Sequence, residues 1–441
     1  MTSSSVVEQE DLPASPERVK KANKATAVAV FGTFIEYYDF SVYGYVAATL
    51  ATVFFPSDDP TMGLLNTLLV FGAAFVVRPI GAIFFGRLGD RAGRRTSLIA
   101  SVTLMGVAGF ITGLLPGYAA IGIWAPILLV LMRILQGFST GGEIGGAASY
   151  IREWAPKNRR SLYISFIPSV AQLGKAGAAG IAALVALALS GPAMESWGWR
   201  IPFLLALPLG ALCLYLRLQV EDSPEFVEAK KTGHTDKAPV RDLFRNYPLQ
   251  VLKVILIATV QTVGTYVGTV YISVYFSSVL GFSKGAASTL VLMAVLLAAL
   301  LIPVAGQLGN RFGAKRILVT SFAAYTVLTL PAFFLMNQGV TTIAMLGLAL
   351  SMIPYALCQA GTYATMPEFF PVEVRHTGVA FSHSTGAVIG GLCPYLATFL
   401  IAQTNNNYIP GYMMVLAGII GFVVIAITTR KLPATAGHLY K

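Results

Sequence analysis

Six ionisable side chains, Glu36, Asp39, Arg78, Arg133, Glu143 and Lys175, stand inside long apolar runs of the N-terminal half. A charge at the centre of a membrane helix costs about 2.5–3.5 kcal/mol on insertion scales, so such residues face a cavity or one another and mark ion or substrate pathways. Glu36 and Asp39 are three residues apart, which places both on one helical face with Tyr43 extending it. Two carboxylates so placed in a low dielectric repel and favour a shared proton, which is what proton coupling requires. The alternative is that one of them neutralises a fixed arginine. Lys175 suits either a substrate carboxylate or an internal pair with Asp39; free, it implies an anionic or zwitterionic ligand, and paired, it implies nothing about charge.

The elements that position these residues follow from composition. The chain has 441 residues, of which 55% are hydrophobic and 12% charged, with a mean hydropathy of +0.69; soluble domains carry about 25% charged residues. Windows of about 20 apolar residues are long enough to cross a hydrocarbon core of ~30 Å. Twelve are legible, near 25–52, 62–85, 95–115, 123–150, 161–188, 200–218, 249–277, 285–308, 316–335, 341–366, 376–402 and 411–430. The reading is an all-α membrane protein: a tail over 1–24, a six-helix bundle over 25–218, a linker over 219–248, a second six-helix bundle over 249–430 and a tail over 431–441. Residues 1–24 lack an apolar core of their own and read as a cytosolic tail rather than a cleaved signal.

Charge orients the array. Of the 31 Lys and Arg residues, 26 fall in the tails and alternate connections, whereas the opposite side holds only Arg200 and Lys284. The positive-inside rule then puts both termini in the cytoplasm of a cell or inner membrane. The net charge of +11 is accordingly a topology signal, with attraction to anionic lipid secondary and nucleic acid not implied. Cys213, Cys358 and Cys393 lie within apolar runs without paired spacing, so neither a disulfide framework nor a metal site is suggested, and no cofactor loop or nucleophile–base pair is legible.

Gly86 to Arg95 reads Gly-Arg-Leu-Gly-Asp-Arg-Ala-Gly-Arg-Arg, and a degraded copy, Gly-Gln-Leu-Gly-Asn-Arg-Phe-Gly-Ala-Lys, recurs 220 residues later at Gly306. Glu153-Trp154-Ala155-Pro156 with Arg160 is echoed by Glu368-Phe369-Phe370-Pro371 with Arg375 at an offset of 215. Two repeats at nearly one offset imply homologous halves. The loop carries Gly86, Asp90, Arg91, Gly93, Arg94 and Arg95; Asp90 suits a helix N-terminus or neighbouring arginines, and the segment reads either as a latch or as a plain basic turn. Asn310 replaces Asp90 in the copy, beside Arg311, so the second latch is expected to be the weaker.

The Asp90 loop and Arg133-x-x-Gln136-Gly137 resemble motifs of the major facilitator superfamily. Glu36-Tyr37-Tyr38-Asp39-Phe40, Arg78-Pro79-Ile80-Gly81, Gln136 to Glu143 and Trp197 to Phe203 resemble its metabolite:proton symporter branch, in particular proline/betaine and di- and tricarboxylate symporters. The resemblance implies two pseudo-symmetric bundles around a central cavity, alternating access and proton coupling. Under it the chain is a transporter rather than an enzyme, monomeric in the lipid bilayer, moving a small carboxylate-bearing metabolite or compatible solute with protons.

Residue counting from the cytoplasmic ends, at about 1.5 Å per residue, places Asp39 and Lys175 near the midplane and pairs Arg78 with Glu143 at lesser depth. Arg133 is deeper, with Gln136 on its face. The expected coupling residues are Glu36, Asp39 and Glu143. The expected substrate residues are Lys175, Arg78, Arg133, Gln136, Tyr43, Gln261 and Tyr266. Gln261, Thr265 and Thr269 recur every four residues as a polar stripe, and aromatic rings nearby suit a quaternary ammonium. His383 fits either a proton relay or a structural role. A uniporter or antiporter of the same fold, or a solute sensor, is the alternative function.

Overall fold

The computed structural model describes residues 16–92, 94–141, 147, 151, 155–218, 239–370 and 372–429. All regular structure among them is helical, and most of it forms twelve rods. They are α1 (Pro16–Tyr45, continued by Ala47–Phe54), α2 (Pro60–Val76 and Arg78–Ala92), α3 (Arg94–Leu114), α4 (Trp124–Thr140), α5 (Arg160–Ala188) and α6 (Gly191–Leu218). The second half holds α7 (Pro248–Val279), α8 (Lys284–Phe312), α9 (Ala314–Met336), α10 (Thr341–Thr365), α11 (Val372–Thr404) and α12 (Ile409–Thr429).

Local chemistry sets the ends of these rods. Asp59 caps α2 by accepting from the Thr61 N–H at 2.8 Å, with Pro60 in the first turn where no donor is needed. Ser283 caps α8 through the Ala286 N–H at 3.2 Å. Gly313, at φ 92°, turns α8 into α9 in a conformation that L side chains avoid. α2 is interrupted at Val77, just before Pro79, whose ring cannot continue the hydrogen-bond ladder. α7 contains two π-helical stretches, Tyr266–Tyr271 and Tyr275–Val279, of the kind that interrupts α-helices at functional positions.

The halves meet along two seams related by the internal repeat. α5 packs on α8, and α11 packs on α2, so the fifth helix of each half lies against the second helix of the other. The Ser169 hydroxyl of α5 donates to the Ala299 carbonyl of α8 at 2.7 Å. The seam is closed at the end where α1 begins and α12 ends. There a Cβ on Gly306 would collide with Ser165, and Asn310 Oδ1 accepts from the Ser161 N–H at 3.1 Å in the first turn of α5. At the opposite end a cavity of 630 Å³ opens between the halves.

The expectation of a weaker second latch is thus qualified: Asn310 directly caps a helix of the other half. Arg311 instead is exposed, with its guanidinium 5.2 Å from the Phe312 ring. The side chains of Asp90, Arg91, Arg94 and Arg95, and all of Gly93, lie outside the described residues. An acidic residue at a helix N-terminus is worth about 0.3–1 kcal/mol, so Asn310→Asp is expected to favour the closed end by about two- to fivefold. Thiol labelling of a Ser278→Cys reporter, which lines the opposite cavity, checks this as an increase in accessibility.

Part of the stretch expected as linker is helical. Pro239–Asn246 packs Leu243 into the core and sets Phe244 edge-on to Phe381 of α11 at 5.0 Å. Residues 219–238 lie outside the described residues.

Candidate substrate and coupling site

α1 brings two carboxylates to the centre, and each is engaged by a different helix. Asp39 Oδ2 accepts from Gln136 Nε2 of α4 at 2.8 Å, while Gln136 Oε1 accepts from Arg133 Nη1 at 2.8 Å. The amide therefore stands between carboxylate and guanidinium as a bridge. Asp39 Oδ1 and the Arg133 Nε and Nη2 atoms find no hydrogen-bond partner among the described residues, although both side chains are buried. The Arg133 guanidinium lies 4.4 Å from the Tyr43 ring and 4.8 Å from the Phe40 ring. Tyr43 donates to the Thr67 carbonyl at 3.1 Å, which holds its ring in that position.

Glu36 forms the second group, with Oε1 3.8 Å from Arg78 Nη2 of α2. Arg78 is sandwiched between Phe40 at 4.3 Å and Phe75 at 4.5 Å and interacts with the Tyr266 hydroxyl of α7. Tyr266 in turn packs edge-on to Phe75 at 4.6 Å. Of the two readings of the carboxylate pair, the arginine partner is seen at Glu36, which faces Arg78, while Asp39 is held by the Gln136 amide. Glu143, the expected partner of Arg78, lies outside the described residues.

Lys175 forms the third group. Its Nζ donates to Gln172 Oε1 at 3.1 Å, to Thr269 Oγ1 of α7 at 3.1 Å and to the Tyr355 hydroxyl of α10 at 3.3 Å. The pair with Asp39 is not formed: equal depth does not bring the two side chains together, since Lys175 is turned toward the second half. Its amine is fully buried, and all three hydrogen-bond partners are neutral. The rings of Tyr37 and Tyr355 lie 5.4 and 5.7 Å from it.

The second half presents a connected amide network. Gln261 Nε2 donates to Gln359 Oε1 at 2.8 Å, Gln359 Nε2 donates to Thr265 Oγ1 at 2.7 Å, and His383 Nε2 meets Gln261 Oε1 at 3.2 Å. Because an amide oxygen only accepts, His383 carries its proton on Nε2 in this arrangement. The expected stripe of Gln261, Thr265 and Thr269 does line one face of α7, its last member reaching Lys175. The Tyr37 and Tyr363 hydroxyls, 3.4 Å apart, join the halves beside it.

Spacing and composition do not single out Tyr355 or the Phe40 and Phe75 rings, and Gln172 was also passed over. Gln172 had a readable signal, standing three residues before Lys175 on the same face. Gly109 of α3 had none: a Cβ there would overlap Asp39 Oδ1. Gly109→Ala is expected to displace the carboxylate from Gln136 and cut uptake about tenfold, since overpacking costs about 1–3 kcal/mol. Transport assays beside thermal unfolding check this, with the melting transition expected to move little. The three buried cysteines form no disulfide. No cluster of His, Cys, Asp and Glu suited to a metal ion occurs among the described residues.

With this geometry in place, likeness to known proteins becomes informative. Residues 25–238 match the family model for sugar (and other) transporters, and 254–438 match that for the major facilitator superfamily. The chain is 34% identical to the glycine betaine/proline/ectoine/pipecolic acid transporter of Dickeya dadantii, covering 91% of this chain and 82% of that one. It is 37% identical to an inner membrane metabolite transport protein of Escherichia coli, over 91% and 93% of the two chains. Among solved structures, a proton:xylose symporter bound to 6-bromo-6-deoxy-D-glucose matches the fold with a TM-score of 0.79 at 18% identity, covering 94% and 97%.

Twelve membrane helices in two repeat-related bundles, with buried charge at their interface, define a multi-pass secondary transporter. The chain belongs to the major facilitator superfamily.

Proposed function

We propose that the protein is a proton-coupled symporter that imports a small zwitterionic or anionic carboxylate by alternating access, with both termini cytoplasmic. The observation that carries this reading is the set of orphaned polar atoms at one place: Asp39 Oδ1 and the Arg133 Nε and Nη2 atoms. A buried donor or acceptor without a partner costs about 1–3 kcal/mol, more for charged groups. Such an arrangement persists in a transporter because its polar partners arrive during turnover: a proton on Asp39 and substrate against the cations.

In the cycle, the solute enters from the open end, and its carboxylate displaces the weaker neutral contacts of Lys175 to Thr269 and Tyr355. Since Lys175 belongs to α5 and those partners to α7 and α10, substrate binding exchanges contacts between the halves. Protonation of Asp39 weakens its hold on the Gln136–Arg133 bridge. Loss of both sets of contacts releases the rocking motion, with the Asn310–Ser161 end opening in turn. The solutes of the Dickeya relative, glycine betaine, proline, ectoine and pipecolic acid, share a carboxylate beside a nitrogen-bearing group and support this substrate class.

Uptake of labelled proline and trimethylammonioacetate into proteoliposomes under an imposed pH gradient tests the reading. Accumulation is expected only when the exterior is acidic; a flux indifferent to the gradient overturns proton coupling.

A further inference from the structure

The cavity at the open end is left unused by the coupling site. Its volume of 630 Å³ falls within the roughly 300–1,000 Å³ of small-molecule sites. Both halves line it, with Thr52, Phe55 and Asp59 from the end of α1 and the turn into α2, Ser278 from α7, and Thr398 and Asn405 from α11 and the turn beyond. Asp59 is the one charged residue among the described residues of its wall.

The turn that carries Asp59 is fixed from several directions. Asp59 Oδ1 caps α2 through the Thr61 N–H, and the Asp59 N–H donates to Ser57 Oγ at 3.3 Å. At Gly63 a Cβ would come within 2.9 Å of the Phe55 carbonyl, so its absence lets the start of α2 close onto the end of α1. The helix terminus offsets about half a charge at most, which leaves the mouth net negative. An aromatic ring and a carboxylate on one wall are the chemistry of an ammonium site. The contrasting charge is Lys175, a buried cation between the halves.

We propose that this vestibule is a first binding site for the cationic end of a zwitterionic solute, received by the Asp59 carboxylate and the Phe55 ring. This rests on the transport reading above and deepens it. A negative mouth and a positive centre orient a dipolar solute so that it enters carboxylate first. The same mouth disfavours a simple monoanion, so zwitterions are selected before they reach Lys175.

Asp59→Asn separates charge from structure, because asparagine caps a helix as well as aspartate does; an unchanged melting transition confirms that the cap is kept. Saturation-transfer NMR on the purified full-length protein with tetramethylammonium chloride is expected to show binding in the natural protein and a signal reduced at least about fivefold in Asp59→Asn. Sodium propionate is expected to bind no better than background at the mouth, and its signal in Asp59→Asn to equal or exceed that of the natural protein. Equal tetramethylammonium signals in both proteins, or none in the natural protein, overturn the vestibule site. Tetramethylammonium has no carboxylate and its binding is read without turnover, so a failure of the transport reading leaves this result standing on its own.

Discussion

Asp39→Asn is expected to abolish accumulation of solute against a gradient while leaving exchange of internal for external solute within about threefold of the natural rate. The substitution is close to isosteric, and the asparagine carbonyl oxygen still accepts from Gln136 Nε2 where Asp39 Oδ2 does at 2.8 Å. What disappears is the capacity to hold a proton in one half of the cycle and release it in the other. Exchange needs only the loaded transporter to rock back and forth, whereas uphill transport needs the proton to be carried with solute and left behind. Paired measurements in proteoliposomes, of pH-gradient-driven uptake and of counterflow, separate the two. Loss of both activities in a well-folded variant would assign Asp39 to conformational change rather than coupling, and retention of both would remove it from the mechanism.

The second large effect is expected at Lys175. Lys175→Met should raise the KM for a carboxylate-bearing solute about ten- to hundredfold, the equivalent of a charge-assisted hydrogen bond worth about 1.5–3 kcal/mol. The local structure is built to survive the change. Gln172 Nε2 donates to the Tyr355 hydroxyl at 2.7 Å independently of the lysine, so the side chains that surround it keep a partner. Removing a fully buried amine with neutral partners also removes a desolvation cost, whereas Gln172 Oε1 loses its donor. These terms oppose, and thermal unfolding is expected to move by only a few degrees or upward. Lost affinity with kept or gained stability is the signature of a functional site, in which charge is held at the expense of stability. An unchanged KM would exclude Lys175 from substrate binding, and a collapsed melting transition would make it structural.

The fold was legible because its determinants are one-dimensional. Hydrocarbon thickness sets the length of each span. The repeat at an offset of about 220 residues declares two halves, which the structure expresses as the matched seams of α5 on α8 and α11 on α2. Even local site geometry at i, i+3 spacing was readable, as with Arg133 and Gln136 on one face of α4.

Sequence by itself determined which residues are expensive in a membrane: Glu36, Asp39, Arg78, Arg133 and Lys175 all stand in apolar runs, and all five are buried. Only the tertiary structure decided how they pair. Counting residues along a helix measures depth but leaves the rotation of each helix about its axis and the bend at Val77 and Pro79 undetermined. Depth alone matched Asp39 with Lys175, whereas rotation turned Lys175 to Thr269 and Tyr355 of the other half and set Glu36 against Arg78. Hydrogen bonds form over about 3 Å, a tolerance finer than any periodicity in the sequence, and so the partners were fixed by packing.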